Sequence, residues 1–220
     1  MARSVCICTP SAPRRSDPAL SAAAAPYRTG TMEAIWEHPE FGPLKRNGAW
    51  WRTVVDAPAF DAFSYDTGYS NAGPPSGKYD VMIAADKASA SPAPGSVLLA
   101  QRVLRRQAPL VTEIATALWE DFNGRGPDSG MWWHGGLDQF PNMLSHGLRV
   151  PTNPDDVRRL MRLHLILIRD DVPGVDGAVV ELDFWAAFEQ EHNIGVLTDG
   201  EKVLGAGYET EVTPYGFEYE

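Results

Sequence analysis

The stretch that most constrains the fold runs from Ala178 to Val212, because two clear patterns follow each other in it. Polar and apolar residues alternate from 179 to 184, which is the period of a strand with one buried face. Asp199-Gly200 lies between two β-forming runs and predicts a tight hairpin. We therefore expect a strand, a turn or short helix around Trp185, and then a hairpin, with Trp185 anchoring the core.

The end of this stretch contains two glycines that affect strand pairing. Gly205 and Gly207 fall within the second hairpin strand, where glycine weakens pairing and typically marks a bulge or a close approach of another backbone. Further upstream, Asn47-Gly48 predicts another hairpin, and short strands are predicted near 79–84 and 163–168. The sheet is therefore expected to contain strands from both ends of the chain.

Helices are predicted between these groups of strands. Pro92 and Pro94 open a helical segment, and Pro109 either kinks it or starts a second helix, whose apolar stripe runs from 111 to 122. Asn153-Pro154 predicts a short capped helix. The expected fold class is α+β: an antiparallel sheet with two or three helices packed on one face.

Charge divides the chain into a short leader and a body. The net charge is −10, yet residues 1–31 are rich in Ala, Pro, Ser and Arg and hold one acidic residue. We expect 1–31 to be a disordered leader and 32–220 a single α+β domain. A transit peptide or a true start at Met32 are the alternatives for the leader.

Composition also excludes several classes of function. An acidic body repels phosphate backbones, so nucleic-acid binding is not expected, and no apolar run approaches a membrane span. The two cysteines, Cys6 and Cys8, form neither a disulfide framework nor a zinc pattern. We expect a cytoplasmic protein whose partner is another protein. If charge guides recognition, that partner is basic.

Glu189 and His192 have the Glu-x-x-His spacing of di-iron proteins, which makes them candidate metal ligands. No second copy of that motif exists, so we expect Glu191-His192 to close a turn and predict neither metal nor cofactor. His164 lies in an apolar strand run and is expected to be a core or edge histidine. The alternative function is a metal-dependent hydrolase that uses Glu189, Glu191 and His192.

Aromatic residues suggest a binding surface. The Gly-, Pro- and Asn-rich stretch 123–153 contains Trp132-Trp133-His134, which either forms an exposed interface or folds over the sheet as a lid. The first function expected is a non-catalytic protein-binding domain, with an immunity or regulatory role as one form of it. Its candidate binding residues are Trp132, Trp133, His134, Trp185, Glu191 and His192.

The order of these motifs resembles that of a bacterial family of domains of unknown function with a W…EHG-hydrophobic-GV…G ending. Some members of that family lie beside polymorphic-toxin immunity genes, and the immunity role is implied by this resemblance alone. Asn193 stands where the pattern has glycine, although asparagine also tolerates a left-handed turn. The matching residues are Phe41, Gly42, Leu44, Trp185, Glu191, His192, Gly195, Val196 and Gly207.

Overall fold

The structure is a computed structural model that describes residues 34–67, 75–85, 90–127, 144, 147–209 and 211–218, without the side chain of Gln190. The predicted leader and the Met32 boundary lie outside these residues. So do Trp132, Trp133 and His134, and the choice between lid and interface stays a prediction.

Eight strands form one sheet in which spatial order follows chain order from β1 to β8. The strands are β1 Ile35–His38, β2 Gly42–Asn47, β3 Trp50–Asp56, β4 Lys78–Ala84, β5 Met161–Arg169, β6 Val179–Ala186, β7 Glu189–Thr198 and β8 Val203–Tyr208. The two predicted hairpins are confirmed. Gly48 and Gly200 have φ values of 59° and 86°, the left-handed conformation that such turns need.

The described residues between β4 and β5 include three α-helices, α1 Pro94–Arg105, α2 Gln107–Phe122 and α3 Pro154–Arg158, and a 3₁₀ helix spans Pro58–Ala62. The helical segment is interrupted at Arg106. Pro109 therefore lies in the first turn of a second helix, which is one of the two alternatives predicted. At α3 the Asn153 side chain accepts a hydrogen bond from the Asp156 backbone N–H at 3.1 Å, which is the predicted cap.

The predicted antiparallel sheet is wrong: the sheet is mixed and open. β4 and β5 run parallel, with Asp80 beside Leu165 and Ile83 beside Ile168, while the other neighbouring strands are antiparallel. The physical reason is the connection through α1, α2 and α3. A helical crossover carries the chain back to the end of the sheet where it started, and it therefore joins parallel strands.

The inner face of the sheet packs against the helices and forms the main core. Leu110, Ile114 and Leu118 provide the apolar stripe of α2, and they belong to the same core cluster as Leu182 and Phe184 of β6. These side chains are fully or almost fully buried, and burial of this kind is the main stabilising contribution in a domain.

The outer face differs between the two halves of the sheet. Across β6 to β8 it is covered, because Val172 and the C-terminal Val212 pack with Val179 and Leu197 in a second small cluster. The Tyr215 N–H donates to the Leu204 carbonyl at 2.8 Å and holds the C-terminal segment against β8. Across β2 to β4 the same face carries exposed side chains such as Val54.

In the described part of the chain, none of the helices combines the length and the apolar character that crossing a membrane requires.

Candidate metal centre

Strand β6 places two acids on the covered outer face. Its alternation sends Leu182 and Phe184 to the inner core, so Glu181, Asp183 and Trp185 point to the other side. The alternating pattern predicted that one face of this strand is buried, and the acids lie on the other face. Glu181 and Asp183 are nevertheless each only 1% exposed.

His164 joins these acids through an irregularity in β5. Leu163 pairs with Phe184 and Leu165 pairs with Asp183, so His164 is one extra residue in its strand. Such a bulge re-aims a side chain. The imidazole lies flat against the Trp185 indole, with ring centroids 4.7 Å apart and planes 12° from parallel.

Glu209 completes a set of three potential ligands. One donor atom each from His164, Asp183 and Glu209 lies within 4.8 Å of the other two. Tetrahedral ligands at 2.0–2.2 Å from zinc are about 3.4 Å apart, so side-chain shifts of about 1 Å bring these atoms to bonding positions. Among the described residues, this is the set of three that meets that criterion.

Asn193 holds Glu209 in place. Its Nδ2 donates to Glu209 Oε2 at 2.8 Å, which leaves Oε1 for another partner. Asn193 has φ of 57°, and it is the described residue other than glycine with positive φ. Asparagine is one of the few residues that adopt this conformation at modest cost, and this irregular part of β7 presents the side-chain amide to Glu209.

With both acids ionised, three polar atoms in this cluster lack a hydrogen-bond partner among the described residues: His164 Nδ1, Asp183 Oδ1 and Glu181 Oε1. A proton held between Asp183 and Glu181 satisfies the two carboxylates in the absence of a cation. The other carboxylate oxygen of Glu181 accepts from Arg169 Nη1 at 2.8 Å. A buried polar atom without a partner costs about 1–3 kcal/mol, and an unpaired charge costs more. A cation bound between these atoms would remove that cost.

The raised pKa values of the buried acids also favour the binding of a cation. Burial first, and then the charges of Glu181 and Glu209, raise the pKa of Asp183 to about 10. Burial also raises the pKa of Glu181, against the opposing effect of Arg169. Without a cation Asp183 is therefore protonated at neutral pH, and its proton can be shared with the Glu181 carboxylate.

His164 is neutral under the same conditions. Burial lowers the pKa of the imidazole, against smaller opposing effects of Glu209, of a hydrogen bond to the Asp183 backbone, and of Asp80. Neutral imidazole is the form that ligates metals. The centre thus holds one neutral imidazole and carboxyl groups that become better ligands when a cation arrives.

Space for the carboxylates depends on Gly195, which pairs with Asp183 on one side and with Gly207 on the other. A Cβ on Gly195 would lie 2.9 Å from Glu181 Oε1 and 3.0 Å from Val212 Cγ1. Any larger residue would push the acid or the C-terminal segment away, so glycine here keeps the cluster intact.

The residues predicted from the sequence fall beside this centre. The Glu189 carboxylate accepts from the backbone N–H groups of Glu191 and His192, each at 3.1 Å, and contacts His192 Nδ1 at 3.1 Å. Glu191 and His192 lie within β7 and the turn lies at Ala187-Phe188, so they do not close it. Glu191 and His192 are exposed and do not belong to the three-ligand set.

Trp185 also differs from its prediction. It lies inside β6, with the turn following at Ala187-Phe188, and it is half-buried on the outer face. The core residue at this point is Phe184, because neighbouring side chains in a strand point to opposite faces.

Sequence reasoning missed His164, Asp183 and Glu209 as a site. Two signals pointed to it: acids alternating with apolar residues at 181 and 183, and the glycines at 205 and 207. Those glycines were predicted to mark a close backbone approach, which is confirmed, since a Cβ on Gly205 would collide with the Thr213 carbonyl. A covered strand face with acids on it implies buried carboxylates.

Comparisons with protein-family models, curated proteins and solved structures give no match to this chain.

Proposed function

We propose that this domain binds one divalent metal ion through His164, Asp183 and Glu209. The observation that carries the proposal is the cluster around Asp183: its side chain is 1% exposed, and one donor atom each from His164, Asp183 and Glu209 lies within 4.8 Å of the other two. This reverses the expectation of no metal, which was drawn from Glu189 and His192.

The donor set narrows the choice of ion. Imidazole suits zinc, iron, copper and nickel, whereas carboxylates alone suit magnesium, calcium and manganese. One imidazole with two carboxylates therefore favours zinc or manganese over calcium or magnesium. The hydrogen bond from Asn193 to Glu209 is the kind of outer contact that orients a metal ligand.

The test is calorimetric titration of chelator-treated protein with Zn²⁺ and Mn²⁺, with Ca²⁺ and Mg²⁺ for comparison. We expect one ion per chain, and tighter binding of Zn²⁺ and Mn²⁺ than of Ca²⁺ and Mg²⁺. Asp183→Asn and His164→Gln should each weaken binding by more than about 100-fold, above the range for loss of an outer contact. Both variants preserve side-chain volume approximately, so a folded protein is expected.

Matched controls are His192→Gln and Glu191→Gln, since both residues are exposed and outside the cluster. They should bind metal as the parent does. A parent protein that takes up no ion, or a His192→Gln variant as defective as His164→Gln, would contradict the proposal.

A second candidate function, metal-dependent hydrolysis, is favoured by the buried Glu181 beside the three donors. Three protein ligands leave a coordination position for water, as in catalytic zinc sites, and a carboxylate nearby can take the proton of that water. Hydrolysis of p-nitrophenyl acetate and p-nitrophenyl phosphate by zinc- and manganese-loaded protein tests this function. Turnover that survives Glu181→Gln would argue against it.

A further inference from the structure

A groove lies on the open half of the outer face, on strands β2 to β4. Its volume is about 680 Å³, and its lining includes Pro43, Lys45, Arg46, Arg52, Val54 and Asp80. These residues are separate from the metal cluster and come from a different half of the sheet. The groove is therefore an independent feature of the molecule.

The groove is positively charged in a chain whose net charge is −10. On the outer face its lining has two cationic side chains, Lys45 and Arg52, and one acidic side chain, Asp80, which leaves a formal charge of +1; the Arg46 guanidinium lies instead over the Trp51 ring on the inner face. Lys45 and Arg52 are direct partners across β2 and β3. Like charges directly opposite each other destabilise a sheet, and this arrangement therefore suits an anion that binds between them.

Asp80 neutralises the charge of Arg52. Arg52 Nε and Nη2 donate to the two Asp80 oxygens at 3.1 and 2.9 Å, a two-point ion pair. Lys45 makes no ion pair with the acidic groups of the described residues. The uncompensated charge is therefore concentrated on Lys45, beside an arginine that is already held in position.

An exposed apolar side chain adjoins these cations. Val54 is 56% exposed and is one of three large apolar residues that stand out in the described part of the chain, and Pro43 lies beside it in the lining. The Arg52 side chain is also 52% exposed. A small molecule here would keep much of its surface in water, whereas the surface of a partner protein would cover both residues.

We infer that this groove docks an acidic segment of a partner protein, with a carboxylate of the partner on Lys45 and an apolar side chain against Val54. The sign of the charge reverses the expectation of a basic partner, because recognition depends on the local field of the groove rather than on the net charge of the chain.

The experiment uses the full chain and a fluorescein-labelled dodecapeptide in which Glu and Val alternate, with a Lys-Val peptide as its counterpart. We expect saturable binding of the acidic peptide alone, seen by fluorescence anisotropy. Amide shifts in ¹⁵N spectra should map to β2, β3 and β4. Raising the salt concentration from 50 to 300 mM should weaken binding at least about threefold, since the contact is electrostatic and exposed.

Lys45→Gln should weaken peptide binding by about tenfold, and Lys78→Gln is the matched control. Lys78 lies on the same sheet but pairs with Asp56 outside the groove, with 2.8 Å between Nζ and Oδ1. Equal affinities of the two variants would overturn the inference. So would the absence of saturable binding, peptide shifts outside β2 to β4, or equally tight binding of inorganic phosphate alone, which would make the groove a site for free anions.

Discussion

At the scale of single residues, the centre depends on side chains that sit in uncommon conformations or environments. Asn193 occupies a left-handed backbone position, Asp183 is a fully buried carboxyl group, and Gly195 leaves room that any side chain would fill. Each of these features carries a cost for the fold. Costs of this kind are concentrated at functional sites, where the surrounding structure holds them in place.

Asn193 separates metal binding from stability. Asn193→Gly keeps the left-handed conformation at no steric cost but removes the amide that holds Glu209, so metal affinity should fall about 10–100-fold while the unfolding midpoint stays close to that of the parent. Calorimetry and urea unfolding measure the two quantities. If the parent binds metal and the Asn193→Gly variant binds it with the same affinity, Asn193 plays no part in positioning Glu209.

Asp183 should make stability fall with pH in the metal-free protein. Its folded pKa of about 10 is raised above the unfolded value, so the folded state holds one extra proton between about pH 4 and pH 10. Stability is then greatest below the unfolded pKa and falls as pH rises toward 10, by up to about 1.4 kcal/mol per pH unit.

Urea unfolding between pH 7 and 9 measures this slope, because His164, with its lowered pKa, no longer titrates there. Asp183→Asn should flatten the slope, whereas Asp171→Asn, at an exposed carboxylate whose pKa is lowered by Arg169, should leave it unchanged. An equal slope in the Asp183 variant would show that this carboxyl group is already ionised.

At the scale of elements, β6 carries two functions on its two faces. Phe184→Ala should cost about 3–5 kcal/mol, because it empties a fully buried position in the core. Trp185→Ala should cost less, because its indole is half-buried, but it should weaken metal binding by releasing the stacked His164 ring. Thermal or urea unfolding of the two variants gives the comparison, and a larger loss for Trp185→Ala would return Trp185 to the role of core anchor.

The sequence was informative where local chemistry decides the outcome. The hairpins at Asn47-Gly48 and Asp199-Gly200, the α2 stripe and the Asn153 cap all depend on residues close together in the chain, and all were predicted. The metal centre joins residues from β5, β6 and the end of β8. Which face of β6 is covered depends on Val212 and its neighbours, and no local pattern in β6 contains that information.

At the scale of the whole molecule, the C-terminal segment is the cover of the centre. Deleting residues 211–220 removes Val212, which packs with Val179 and Leu197 and contacts Gly195. Loss of one buried valine costs about 1.5–3 kcal/mol, and each kcal/mol lowers the melting temperature by about 2–4 °C in a chain of this size. We expect the truncated protein to have a lower melting temperature and weaker metal binding than the full-length protein, both measured by calorimetry. A truncated protein that binds metal with the parental affinity would show that the C-terminal segment is not needed for metal binding.

The parallel pairing of β4 with β5 divides the sheet into two meanders, each continuous in sequence. Within each meander, neighbouring strands are joined by connections shorter than the crossover from β4 to β5, the longest being residues 57–77 between β3 and β4. Their contacts can therefore form earlier and at lower entropic cost. The pairing of Asp80 with Leu165 must instead close a loop that contains all three helices. Folding of this chain should therefore be limited by the joining of two preformed half-sheets, and a partly folded chain would expose the unpaired edges of β4 and β5 to other molecules.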